Sequence, residues 1–156
     1  LARGANLRRG IEMLERVQPR PHFELAAAYA AVGNHTDAIR DFETGLKADP
    51  DYAEGWYNLG LSLLALNRDI AARSAFENAV RRKRALADAH AALGILATRA
   101  GDLDRARRAY LDAVEVDPMN LVSLTNLALI ERNAGNAELA SKYVEQAQRI
   151  RPPVPR

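Results

Sequence analysis

The strongest constraint on this chain is a period of 34 residues. Stepping by that interval from HFELAAAY (22–29) reaches WYNLGLSL (56–63), HAALGILA (90–97) and LTNLALIE (124–131), all in one register. Leu25, Leu59, Leu93 and Leu127 form one column, and Ala26, Gly60, Gly94 and Ala128 the next. A second block keeps the same register. Ala38, Ala72, Ala106 and Ala140 are followed four residues later by Phe42, Phe76, Tyr110 and Val144, and then by Gly45, Ala79, Ala113 and Ala147. Pro50, Pro118 and Pro152 close three of the four copies. Self-similarity at such a period means one small supersecondary unit used in tandem.

The local pattern says what that unit is. Bulky residues recur at three-to-four spacing, as on one face of a helix, and the small residues at Gly60, Ala72, Gly94 and Ala106 let two helices approach closely. Gly33, Gly101 and Gly135, with Asn67 in the equivalent place, punctuate the turn between helices, because left-handed backbone favours glycine or asparagine. A helical hairpin cannot bury both its faces, so each copy must stack on its neighbours. Composition agrees, since the 48% apolar fraction is rich in alanine and only 6% of residues are aromatic, which suits close helix packing better than a β-sandwich.

These residues resemble the tetratricopeptide repeat family, whose unit of about 34 residues is a helix, a turn and a second helix. The resemblance covers residues 19 to 152 as repeats 19–52, 53–86, 87–120 and 121–152, followed by a tail at 153–156. It implies an all-α fold, a right-handed superhelical solenoid of antiparallel helix pairs. His22, His90 and Leu124 depart from it, standing where the family prefers the tryptophan found at Trp56, and Arg84 stands where it prefers proline. Upstream, Leu7, Ile11, Leu14 and Pro19 repeat the pattern of Ala38, Phe42, Gly45 and Pro50 at an offset of 31, so residues 1–18 are expected to be the second helix of a truncated repeat. A chain that opens at Leu1 in mid-repeat is expected to be part of a longer protein. Pro152, Pro153 and Pro155 are expected to stop the last helix, and Lys142, Gln146 and Arg149 to make it polar enough for a terminal cap.

The resemblance also implies a function. First helices of successive repeats line a concave groove in this family, and here they would contribute Phe23, Tyr57, Asn58, Leu61, Leu64, Ile95, Arg99, Val122, Asn126, Leu129 and Asn133. Ala27, Ala30, Asp88, Ala91, Thr98, Thr125 and Arg132 complete that surface. The partner is expected to be a protein or peptide. Asn58 and Asn126 share a slot, and an asparagine amide can both donate to and accept from a peptide backbone; Glu24 and Ala92 occupy the other two copies of that slot, so any asparagine ladder is broken. A carboxylate-gripping set fails in both registers, with one matching asparagine in each. Two other readings stay open: pairing of the array's ends with a second copy into a homodimer, and a substrate-docking arm for a catalytic domain elsewhere.

Chemistry offers little beyond this. A formal charge of +2 with 27% charged residues gives a weak long-range field. One basic concentration, Arg81, Arg82, Lys83 and Arg84 with Arg105, Arg107 and Arg108, lacks the interleaved aromatics of a nucleic-acid surface. The chain has no cysteine, which excludes disulfides and thiolate chemistry. No apolar run reaches the roughly 20 residues of a membrane span. His22 and His90 are expected to pack in the tryptophan slot and His35 to lie in a turn. Asp102 and Asp104 suit a helix start, where acids favour the dipole. No catalytic motif, metal-ligand set or cofactor-binding loop is present, so the chain is expected to be a non-enzymatic binding module without a cofactor.

Overall fold

The computed structural model describes residues 2–18 and 21–150. Pro19, Pro152, Pro153 and Pro155, with the expected tail at 153–156, lie outside the described residues. Among those described there are nine α-helices and no strand, and the chain divides into two compact units, Leu1–Lys83 and Arg84–Arg156.

The first unit contains α1 (Ala2–Leu14), α2 (His22–Ala31), α3 (His35–Ala48), α4 (Ala53–Ala65) and α5 (Asp69–Arg82). Its main pairings are α2 with α3 and α4 with α5, and α3 packs in turn on α4. The second unit contains α6 (Ala87–Arg99), α7 (Leu103–Val116), α8 (Leu121–Asn133) and α9 (Ala137–Ile150). Here α6 pairs with α7 and α8 with α9, and α7 packs on α8. His35, expected in a turn, is instead the first residue of α3, because Asn34 takes the cap: its Oδ1 accepts from the Asp37 amide at 3.3 Å. Asp102 caps α7 in the same way, and Asn120 caps α8.

The four hairpin turns share one hydrogen-bonding scheme. Gly33, Gly101 and Gly135 have φ of 79°, 76° and 84°, and Asn67 has φ of 56°. The amide following each donates five residues back: Asn34 to Tyr29 O at 2.9 Å, Arg68 to Leu63 O at 2.9 Å, Asp102 to Ala97 O at 3.0 Å and Asn136 to Glu131 O at 2.9 Å. The left-handed residue itself donates three back in every case. This pair of bonds is the Schellman termination, which satisfies carbonyls that a helix end otherwise leaves orphaned.

Close approach explains the small-residue column. A Cβ added to Gly60 would stand 2.5 Å from the ring of Phe76, and one added to Gly94 would stand 2.5 Å from Tyr110. Both rings are fully buried, and the remaining columns largely follow: Leu25, Leu127, Ala38, Ala72, Ala106, Ala79 and Ala113 are each 0% exposed. Val144 breaks its column at 43% exposure, where Phe42, Phe76 and Tyr110 are 1% or less. In two earlier repeats α3 and α7 are each followed by a helix that packs on them, whereas no described helix follows α9.

Candidate functional site

Each unit presents its own candidate face on the first helices of its repeats. In the first unit, Leu61 is 40% exposed on α4, with Asn58 and Leu64 half-buried along the same helix. Tyr57 is half-buried and leans on Phe76, with ring centroids 5.8 Å apart. Phe23 serves the interior more than the surface. Its ring meets Tyr52 edge-on at 4.7 Å and fills the space over Gly45, where an added Cβ would stand 2.8 Å away.

In the second unit, α8 carries the most open stretch. Val122 and Leu129, two turns apart, are 46% and 44% exposed, and Thr125, Arg132 and Asn133 are exposed beside them. Asn126 is half-buried between them and donates through Nδ2 to the Val122 carbonyl at 2.8 Å, so its amide N–H is already engaged within the helix. On α6, Arg99 is exposed, but Ile95 is half-buried and packs on the core formed by Ala97, Ala106, Tyr110, Leu127 and Ile130. Ala91 is 4% exposed and Ala92 5%, although Thr125 and Asn126 hold the same slots one repeat later and reach the surface.

The tryptophan slot is polar as well as packed. Trp56 Nε1 donates to the Pro50 carbonyl at 2.8 Å, and His90 Nε2 donates to the carbonyl of Arg84, the equivalent position, at 3.0 Å. Leu124 has no donor, and Gln146 of α9 serves the Pro118 carbonyl instead, at 3.0 Å. His22 turns the other way, Nδ1 lying 2.8 Å from Oδ1 of buried Asp41. These histidines therefore fix helix ends and seams rather than simply filling space.

Much of the basic concentration is engaged internally. The Arg82 guanidinium lies 5.1 Å from the Trp56 ring centroid and donates to the Pro50 carbonyl and to Asn78. Lys83 Nζ pairs with Glu54 at 2.5 Å, which holds the Glu54 carboxyl below the usual carboxylate range. Arg105 stays within 3.5 Å of Asp102.

One buried constellation escaped the sequence reading. Glu131 is 3% exposed in the slot that Leu63 and Ala97 fill in earlier repeats. Arg107 Nε stands 2.8 Å from its Oε1, an ion pair outside hydrogen-bond angles, and Asn136 Nδ2 donates to Oε2 at 2.6 Å. Burial, with Glu131 next in weight, raises the Tyr143 hydroxyl above its ordinary pKa of 10.0. A carboxylate breaking an apolar column was the available signal. Among the described residues no cluster of three or more potential ligands could hold a metal ion, and no helix is long and apolar enough to cross a membrane.

A profile described as "Tetratricopeptide repeat" matches residues 23–88, 70–118 and 91–155. The chain belongs to the tetratricopeptide repeat family. The repeated helix pairs, four matching turns and buried columns described above are thus those of an all-α helical-repeat solenoid. The tetratricopeptide fold is shared with solved structures of MamA, one at 24% identity and a TM-score of 0.80 over 91% of this chain and 85% of that one. Residues 41 to the end of MamA from Desulfovibrio magneticus RS-1 superpose at a TM-score of 0.79 with 21% identity, covering 96% and 88%. YrrB, described as a TPR protein with an unusual peptide-binding site, superposes at 0.75 with 21% identity, covering 97% and 81%. No curated protein sequence matches the chain.

Proposed function

We propose that this tetratricopeptide repeat protein is a non-catalytic interaction module that holds a polypeptide segment on the exposed sides of its repeat-first helices. The observation that carries this reading is the pair Val122 and Leu129, 46% and 44% exposed on one side of α8 in a helix otherwise anchored by fully buried Leu124 and Leu127. Exposed apolar side chains at seven-residue spacing on a rigid helix offer anchors whose burial against a partner is favourable. Asn133 and Arg99 edge this face with polar groups. In the first unit Leu61, Tyr57, Leu64 and Asn58 form a second, smaller face, with Phe23 acting from below by holding Tyr52 and the Gly45 seam. The reading treats 19–52, 53–86, 87–120 and 121–152 as four copies of one unit and α1 as the second helix of an incomplete one.

YrrB's described peptide-binding site supports a peptide as the class of partner. The engagement of Arg82, Lys83, Arg105 and Arg107 with protein groups supports a polypeptide over a nucleic acid. Affinity in the micromolar range, about 8 kcal/mol, is expected for a flexible segment that must be ordered on binding. Pull-down against candidate partners, repeated with the Tyr57→Ala, Leu129→Ala double variant, tests the assignment. Capture should fall at least tenfold while the far-ultraviolet circular dichroism stays unchanged, and undiminished capture by the folded variant would overturn it.

A second reading, association of two copies through α9, draws on the 43% exposure of Val144. Light scattering across a wide concentration range tests it, and a monomer throughout would remove it.

A further inference from the structure

We infer that the face of the second unit takes the same face of a second copy of this chain. The two α8 helices lie antiparallel, Val122 of each against Leu129 of the other and Arg132 of each beside Asp88 of the other. This rests on the interaction reading above and names the occupant of that face. Val122, Thr125, Leu129 and Arg132 follow one another along the exposed side of α8, and Met119, just before the helix, is 63% exposed. Exposed Asp88 opens α6 but stands at the start of α8, because Asn120, the cap of α8, donates through Nδ2 to its Oδ1 at 3.3 Å. The face therefore has an acid where α8 begins, apolar anchors along it and a cation where α8 ends. Ala128, Leu129, Gly135 and Asn136 lie three and four residues either side of Arg132, so its own helix offers it no acid. Adjacent Glu131 points inward to Arg107 and Asn136.

Such a face repels its own copy in parallel, where cation meets cation. Turned about a two-fold axis it becomes complementary to itself, as a closed pair of identical chains requires. The residues also set the register. With Val122 against Leu129, the axis falls between Thr125 and Asn126, and Arg132 reaches the Asn120 end of the facing helix, where Asp88 stands. The polar residues at the axis have already engaged donors within the helix: Thr125 Oγ1 donates to the Leu121 carbonyl at 2.8 Å and Asn126 Nδ2 to the Val122 carbonyl at 2.8 Å. Closing the interface therefore orphans neither donor. Met119 lies where the apolar stem of the other copy's Arg132 passes. Few anchors and exposed ion pairs make a small interface, so association is weak, with a dissociation constant on the order of 10–100 μM.

The test is sedimentation velocity on the full chain between about 1 μM and 1 mM, a range that brackets that constant. The unaltered chain should form a reversible dimer. Arg132→Asp alone and Asp88→Arg alone should each weaken self-association at least tenfold at low salt, because each sets like charges together at two points. An equimolar mixture of the two variants should recover a mixed dimer, since both points then carry opposite charges. A role for either residue in folding alone would not be repaired by mixing separately folded chains. Leu129→Glu should abolish the dimer with circular dichroism unchanged, while Val144→Glu on α9 should leave it intact. A chain that stays monomeric throughout, variants that fail to pair on mixing, or a dimer lost in Val144→Glu but kept in Leu129→Glu overturns the second copy as occupant. If capture of other polypeptides still falls in the Tyr57→Ala, Leu129→Ala variant, the interaction reading survives that result. A monomer whose capture is indifferent to those residues overturns both.

Discussion

At the residue scale the second unit contains two polar side chains where its own repeat pattern calls for apolar ones, and they carry opposite predictions. Ser123 is fully buried and its Oγ has no hydrogen-bond partner among the described residues, while Ala89 fills the same slot one repeat earlier. An unsatisfied buried hydroxyl costs more than it contributes, so Ser123→Ala should stabilise the fold by about 1 kcal/mol, measured as a shift of the urea midpoint at unchanged slope. Glu131 is paired with Arg107 and accepts from Asn136, and neutralising its carboxylate leaves the Arg107 cation without its counter-charge. Glu131→Gln should therefore cost about 1–3 kcal/mol, whereas Glu131→Leu combined with Arg107→Met, which restores the pattern of Leu63, should return to within about 1 kcal/mol of the parent. A double variant as unstable as Glu131→Gln would show that Glu131 contributes more than a tolerated charge.

At the scale of the element, the hairpin turns give the clearest comparison because four copies share one bonding scheme and only one lacks glycine. Asn67 holds φ of 56° with a side chain in place, so Asn67→Gly should stabilise the first unit by about 0.5–1 kcal/mol. The converse change, Gly101→Ala, should cost about 1 kcal/mol, and thermal melts of the two variants read both effects. These turns, the helix pairs and the buried columns were all visible in the sequence, since a period of 34 displays them four times over. The faces were less so. Ala91 and Thr125 occupy one slot, yet one is buried and the other exposed, because exposure depends on which neighbours cover a helix and not on the helix's own register. Phe23 looked like a surface aromatic and is turned into the seam by two glycines, Gly45 and Gly55. His22, Trp56 and His90 share a slot whose polar partners are invisible to a pattern of apolar spacing. Asp41 lies 19 residues from His22, and the carbonyls of Pro50 and Arg84 each lie six residues before the ring.

Across the whole molecule, three tyrosines tie stability to alkaline pH. The Tyr29 hydroxyl, which donates to the Glu15 carboxylate, is raised above 10.0 chiefly by that bond, and Tyr110 and Tyr143 are raised chiefly by burial. Folding thus favours the neutral phenol in each case. The stability this contributes is fully present below the unfolded pKa of about 10 and is lost as the pH climbs through the higher folded values. Unfolding free energy should fall steeply above about pH 10, with tyrosinate absorbance rising in step with the loss of helix, and Tyr110→Phe should flatten the decline. Absorbance that rises well before the helix is lost would show these hydroxyls to be open to solvent.

The four matching Schellman turns also bear on how the protein is made. Each turn closes through bonds between residues three to five apart, so a hairpin of roughly 30 residues needs nothing distant to define its register. A ribosome adding about 5–20 residues per second takes on the order of 2–6 s to deliver one hairpin, while local helical structure forms in microseconds. Every hairpin emerging from synthesis can therefore find its own turn long before the next, nearly identical one exists to compete for its partner.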